Sequence, residues 1–103
     1  MPRREEIHKD DIGTVLKLTV KDDTVVVDIS TATTKQFVFE KPGGSTLTVT
    51  AEFDSDGVDG ILVYTTVSGN LDEIGNWKVQ ARVVLPGSEF RSSIAPFRVF
   101  ANL

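Results

Sequence analysis

A chain of 103 residues with 40% apolar and 25% charged side chains can hold one modest core and is too apolar to stay unfolded, so a single globular domain is expected. The absence of cysteine excludes disulfide staples, thiolate nucleophiles and cysteine-based zinc sites, and apolar runs no longer than "ILVY" and "VVL" exclude a membrane-spanning helix. With a net charge of −4 and 11 basic residues scattered apart from the pair Arg3 and Arg4, the chain lacks the basic stripe that phosphate backbones attract, so no nucleic-acid partner is expected.

The opening "MPRREEIHKDD" is rich in charge, lacks alternation and lacks the apolar stretch of a secretory signal. It reads as a flexible arm over residues 1–11, with the folded domain over 12–103. The only histidine, His8, lies in that arm beside Lys9 and Asp10, where nothing fixes its orientation as general-base chemistry requires.

From Thr14 the dominant signal has period two. "TVLKLTVK" sets Leu16, Leu18 and Val20 against Lys17, Thr19 and Lys21, and "TLTVTAEF" sets Leu47, Val49, Ala51 and Phe53 against threonines and Glu52. "NWKVQARVVL" sets Trp77, Val79, Ala81, Val83 and Leu85 against Lys78, Gln80, Arg82 and Val84. Shorter or noisier strand signals are "TVVVDI", "QFVFEK", "ILVYTTV" and "EFRSSIAPFRVF"; in the last, the inward phase shifts between Ile94 and Phe97, so Pro96 marks a bulge or edge position. Turn residues separate the runs: Asp22-Asp23, "KPGG", "DSDGVDG", "SGN" and "PGS". Seven or eight short strands at this spacing predict an all-β sandwich or barrel.

Three features are candidates for chemistry. The acidic loop places Asp54, Asp56 and Asp59 near Gly57 and Gly60, but no register supplies the full acid and glycine set of a calcium loop, so these are weak cation candidates in a strand-joining turn. "KPGG" lacks the length and the following helix of a phosphate-binding loop and reads as a turn. Without a second histidine or any cysteine, the serines and threonines have no evident activating partner, so neither an enzyme nor a cofactor is expected.

Trp77, the only tryptophan, follows Glu73 and Gly75 where a polar loop gives way to a strand. An aromatic after an acidic-x-Gly corner anchors the crossing between sheets in immunoglobulin-like sandwiches, and Trp77 shares its face with Val79, Ala81 and Val83. Trp77, Gly75, Tyr64 and Phe53 are therefore expected as core anchors, the competing reading of Trp77 being a platform for sugar. Val15, Val26, Val38 and Val84 fall out of phase, on faces that otherwise carry Lys17, Gln36, Glu40 and Arg82. Strand preference alone accounts for single exposed valines, but two or more on one sheet form an apolar patch rimmed by charge, as assembly surfaces do. A self-association or docking face containing Val38 or Val84 is expected, with an exposed edge strand as the other route.

The blocks "DIGTVLKLTVKDD", "VVDISTATTKQFVFEKPGGST", "DGVDGILVYTT" and "LDEIGNWKVQARV", closing on "FRVFANL", resemble the immunoglobulin-like module of bacteriophage tail proteins, and are similar to the N-terminal domain of phage baseplate upper proteins. The resemblance covers residues 11–103. It implies an immunoglobulin-like antiparallel β-sandwich and a non-enzymatic virion role, made in the bacterial host cytoplasm. Its partners would be other virion proteins of the tail, baseplate or neck, or further copies of itself. The competing class is a carbohydrate-binding or adhesin-like sandwich, which needs Trp77 and Tyr64 exposed together.

Overall fold

Alternating sequences fold as strands because successive side chains point to opposite faces and one face can be buried. In the computed structural model, which describes residues 7–102, that pattern gives β1 (Ile7–His8), β2 (Val15–Thr19), β3 (Lys21–Asp22), β4 (Val25–Val26), β5 (Thr34–Glu40) and β6 (Thr46–Thr50). These are followed by β7 (Glu52–Phe53), β8 (Ile61–Thr65), β9 (Gly75–Leu85), β10 (Ser88–Arg91) and β11 (Ala95–Phe100). No helix occurs among the described residues.

The larger sheet runs β1-β11-β9-β5-β6, with β10 also on β9; the smaller runs β2-β8-β7, and β3 and β4 form a separate hairpin. Strand β9 is the spine: it pairs antiparallel with β5 from Thr34↔Val84 to Glu40↔Lys78, and on its other side with β10 and β11. Trp77, Val79, Ala81 and Val83 of β9 are buried, and share one core with Phe37 and Phe39 of β5, Leu62 of β8, Val20, Ile29, Leu71 and Val99. Side chains of the two sheets thus enclose a common interior, an arrangement consistent with a β-sandwich.

Phe39 is the hub of that interior. Its ring lies edge-on to Phe37, Tyr64, Trp77 and Phe97 at centroid distances of 6.3, 6.2, 6.2 and 6.2 Å, within the range where aromatic pairs attract beyond simple burial. Trp77 also stacks on Phe97 at 5.8 Å. Its indole N–H donates to the Glu73 carbonyl at 3.0 Å, so the one polar atom of the ring is satisfied within the corner that crosses from β8 to β9. Gly75 completes the corner with φ of 130°, a value that side chains resist, and a Cβ there would lie 3.0 Å from Pro42 Cγ.

The other two expected anchors sit at the rim of the core. Tyr64 is half-buried with its hydroxyl donating to Asn70 Oδ1 at 2.6 Å, and Phe53 is half-buried beneath the Lys35 ammonium, 4.4 Å from the ring centroid. Neither can be fully enclosed: Tyr64 carries a polar tip, and Phe53 is on a strand of two residues at a sheet edge.

Three sequence expectations need correction. Residues 7–11 are not part of a loose arm: β1 pairs in parallel with β11, Lys9 N–H donates to Phe100 O at 2.9 Å, and Asp10 N–H to Leu71 O at 2.7 Å. The rest of the expected arm, residues 1–6, lies outside the described residues. "TLTVTAEF" is not one strand, since buried Ala51 carries the chain from β6 in one sheet to β7 in the other. The bulge precedes Pro96: Arg91 faces Arg82 and Ala95 faces Val79, so three residues, 92–94, oppose only 80–81. Buried Ser92 repairs the ladder there, its hydroxyl accepting from Ala81 N–H at 2.9 Å and donating to Ser93 O at 2.9 Å. In consequence Ile94 points outward, 58% exposed, rather than into the core.

Two predictions follow from this packing. Truncating Trp77 to alanine should cost about 3–5 kcal/mol in chemical denaturation, and Trp77→Phe clearly less, while native Trp77 fluorescence should resist acrylamide. A Cβ on Gly60 would meet Val26 Cγ1 at 2.7 Å and the Val27 carbonyl at 2.8 Å, whereas one on Gly69 meets nothing within 4 Å; both glycines have positive φ, 72° and 87°. Gly60→Ala should therefore destabilise by about 1–3 kcal/mol more than Gly69→Ala, the increment typical of overpacking.

Candidate docking surface

The outward residues of β9 and β5 fix one broad face of the larger sheet, because every second side chain of each strand must leave the core. That face carries Thr34, Gln36, Val38 and Glu40 from β5, beside Lys78, Gln80, Arg82 and Val84 from β9. Val38 and Val84 do share a sheet, as the docking expectation required, but they do not form one patch. Between them Arg82 donates to Gln36 Oε1 at 3.0 Å and to Glu89 Oε2 at 2.8 Å, and Arg91 approaches the same Glu89 oxygen at 3.2 Å. A polar strip thus divides the two valines.

On one side of the strip, Val38 has gained an apolar partner that the alternation hid. The bulge turns Ile94 outward, and Val38, Ile94, Glu40, Lys78, Val79 and Gln80 line a shallow hollow of about 110 Å³. Gln80 is fixed by donating Nε2 to Ser92 O at 3.0 Å, and Lys78 pairs loosely with Glu40 at 3.8 Å. The result is an apolar depression with one charge of each sign at its rim, small enough to take a single protruding side chain. On the other side of the strip, Val84 is half-buried and its carbonyl accepts from both the backbone and the hydroxyl of Thr33, at 2.8 and 3.2 Å.

Val15 and Val26 are elsewhere. Val15, 55% exposed, stands on β2 of the smaller sheet, and Val26, 43% exposed, covers Gly60 from the β3–β4 hairpin. The four valines therefore do not make a common surface, and only Val38 contributes to the hollow.

The acidic loop is organised by its own backbone. Asp56 Oδ1 accepts from Val58 N–H at 3.0 Å, Asp59 Oδ1 accepts from Ile61 N–H at 3.1 Å, and Asp54 faces Lys17 at 3.2 Å. These are the local bonds by which aspartate shapes turns. Asp54, Asp56 and Asp59 are not brought together as ligands, and the described residues contain no group of three or more such side chains placed to hold a metal ion.

"KPGG" is the β5–β6 turn, closed by Lys41 N–H to Ser45 O and Gly44 N–H to Lys41 O, both 2.9 Å. It is clasped to the Trp77 corner: Glu73 Oε1 accepts from Gly43 N–H at 3.1 Å, and Lys41 pairs with Asp72 at 3.0 Å. Trp77 itself is fully buried and Tyr64 half-buried, so the pair does not form an exposed platform for sugar rings.

No protein-family model matches the chain, and no curated protein is significantly similar to it.

The polar strip has a measurable signature. The hydrogen bond from Arg82 holds the Glu89 carboxyl below its ordinary value of 4.5, against a smaller opposing desolvation, with the charges of Arg82 and Arg91 adding to the effect. Because the folded-state value is the lower one, the stabilisation is present above the ordinary carboxylate range and is lost as pH falls through the depressed value. Titration of Glu89 by NMR should give a midpoint below 4.5 that returns toward 4.5 in Arg82→Gln, with little change in melting temperature because the pair is solvent-exposed.

Proposed function

We propose that the protein is a non-enzymatic structural component of a bacteriophage virion, an immunoglobulin-like docking or adaptor module of the tail, baseplate or neck. The observation that carries this reading is the pairing order of the strands that hold the blocks resembling the tail module. Strands β2-β8-β7 follow the B-E-D order of an immunoglobulin sandwich, and β11-β9-β5-β6 follow G-F-C-C′. The Trp77 indole bond to Glu73 O serves as the corner bond that a tyrosine hydroxyl makes in that fold. "LDEIGNWKVQARV" forms this corner and the spine, and "DGVDGILVYTT" leads into it, so the blocks that carry the resemblance are the ones that build the crossing between sheets.

A sandwich of this kind works by presenting rigid surfaces. The Val38–Ile94 hollow, with Glu40 and Lys78 at its rim, is a recess for one apolar side chain of a neighbouring virion protein. Purified particles from a host expressing the intact reading frame should carry the protein through a density gradient in fixed ratio to the tail proteins. Recovery only in the particle-free fraction would contradict the virion reading. Ile94→Lys should lower incorporation while leaving melting temperature unchanged, since Ile94 is exposed in the isolated protein.

A further inference from the structure

A different feature of the molecule concerns association with itself. Among the described residues, strand β6 is the last strand of the larger sheet and pairs only with β5, in register Gln36↔Thr50 through Glu40↔Thr46. Lys41 N–H donates to Ser45 O and Ala51 N–H to Lys35 O, which fixes the phase of the ladder: Leu47 and Val49 direct their backbone groups to β5. Thr46, Thr48 and Thr50 therefore direct theirs to the open edge.

Sheet edges are ordinarily blunted by charge, proline, bulges or brevity. Elsewhere among the described residues those devices are present: β2 carries Lys17 at its centre, while β7 is two residues long and includes Glu52. In contrast, β6 reads Thr-Leu-Thr-Val-Thr, with no charge, proline or glycine and with β-branched residues at four of its five positions. It also leaves Leu47 and Val49 half-buried, and among the described residues no strand covers that flank of the core layer.

We infer that β6 pairs antiparallel with β6 of a second copy, centred on Thr48, to form a continuous sheet across a two-fold axis. The occupant is a second copy because the strand is complementary to itself: reversed, it places threonine opposite threonine and Leu47 opposite Val49. In this register Thr46 meets Thr50 of the second copy and Thr48 meets its own counterpart. Each pair exchanges both backbone bonds, and cross-strand threonine pairs are among the favourable ones. The strand carries no charged side chain, so no like charges are opposed across the axis. Leu47 and Val49 extend the core layer onto each other. The interface is a strand wide, below the area of a permanent dimer, so the association is reversible and concentration-dependent.

The pairing does not depend on where the protein works, and it is tested in solution rather than in particles. Sedimentation of the full chain from micromolar to millimolar concentration should show a monomer–dimer equilibrium. Thr48→Lys should weaken dimerisation at least tenfold with melting temperature unchanged, since its side chain and backbone groups face outward. Because the chain has no cysteine, Thr48→Cys places one thiol per copy at the axis. A short bismaleimide should join these copies efficiently, whereas Thr24→Cys, in the β3–β4 turn, should cross-link poorly under the same conditions. A wild-type monomer throughout the range overturns the inference and leaves the edge to a strand from another protein. A dimer that survives Thr48→Lys, or equal cross-linking of the two cysteine variants, overturns it as well.

Discussion

A buried indole at a crossing between sheets imposes a strict condition: its N–H must find an acceptor in a place that water does not reach. An unsatisfied buried donor costs about 1–3 kcal/mol, a large share of the stability of a small domain. In this chain the acceptor is the Glu73 carbonyl, four residues upstream, and the corner that presents it turns at Gly75, with φ of 130°. The same short segment sends the Glu73 carboxylate to Gly43 N–H and Asp72 to Lys41, so the β8–β9 crossing and the β5–β6 turn are locked together at one end of the molecule.

From that anchor the remaining geometry follows in order. With Trp77 directed inward, the period of two commits Val79, Ala81 and Val83 to the core and Lys78, Gln80, Arg82 and Val84 to the opposite face. Strand β5 aligns on β9 so that Phe39 reaches Trp77, Phe97 and Tyr64 at once, tying the two sheets through one ring. The outer face that bears the Val38–Ile94 hollow is thus a consequence of the inner one. Its polar strip of Gln36, Arg82 and Glu89 is held by pairs on neighbouring strands, which adds definition to the surface more than stability, since exposed ion pairs contribute little.

The sequence made the strands legible because alternation reports burial directly, and β9 and the Trp77 corner were readable down to single residues. What it concealed were changes that leave the alternation intact or hide its break. Ala51 is in phase with both β6 and β7, so nothing in the pattern marks the passage between sheets. The bulge was visible as a phase error, but Pro96 drew the position downstream, while the residue that makes it tolerable is Ser92, whose hydroxyl stands in for a missing ladder partner. Alternation alone therefore points Ile94 inward, opposite to its exposed position in the fold. Residues 7–11 carry too much charge to suggest a strand, yet their contribution is through backbone bonds to Phe100 and Leu71, to which side-chain character is blind. Val15, Val38 and Val84 leave the core as their phase requires, whereas Val26 covers Gly60 and the in-phase Val25 is the more exposed of the two; whether such valines meet depends on strand order, which periodicity does not encode. Free edges are likewise a property of topology, which is why the threonines of β6 had no visible significance until the sheet was assembled.

If the Trp77 corner organises the fold, its indole N–H should be released only when the whole domain opens. Hydrogen exchange of that proton, followed by NMR beside the backbone amides of β5 and β9, measures this directly. The account predicts that the indole N–H and the central β5–β9 amides exchange with the same opening free energy, equal to the global stability found by denaturation. Exchange of the indole N–H at the faster rates of the exposed Ser68 and Gly69 loop amides, while the β5–β9 ladder stays protected, would show that the corner opens independently and would contradict the account.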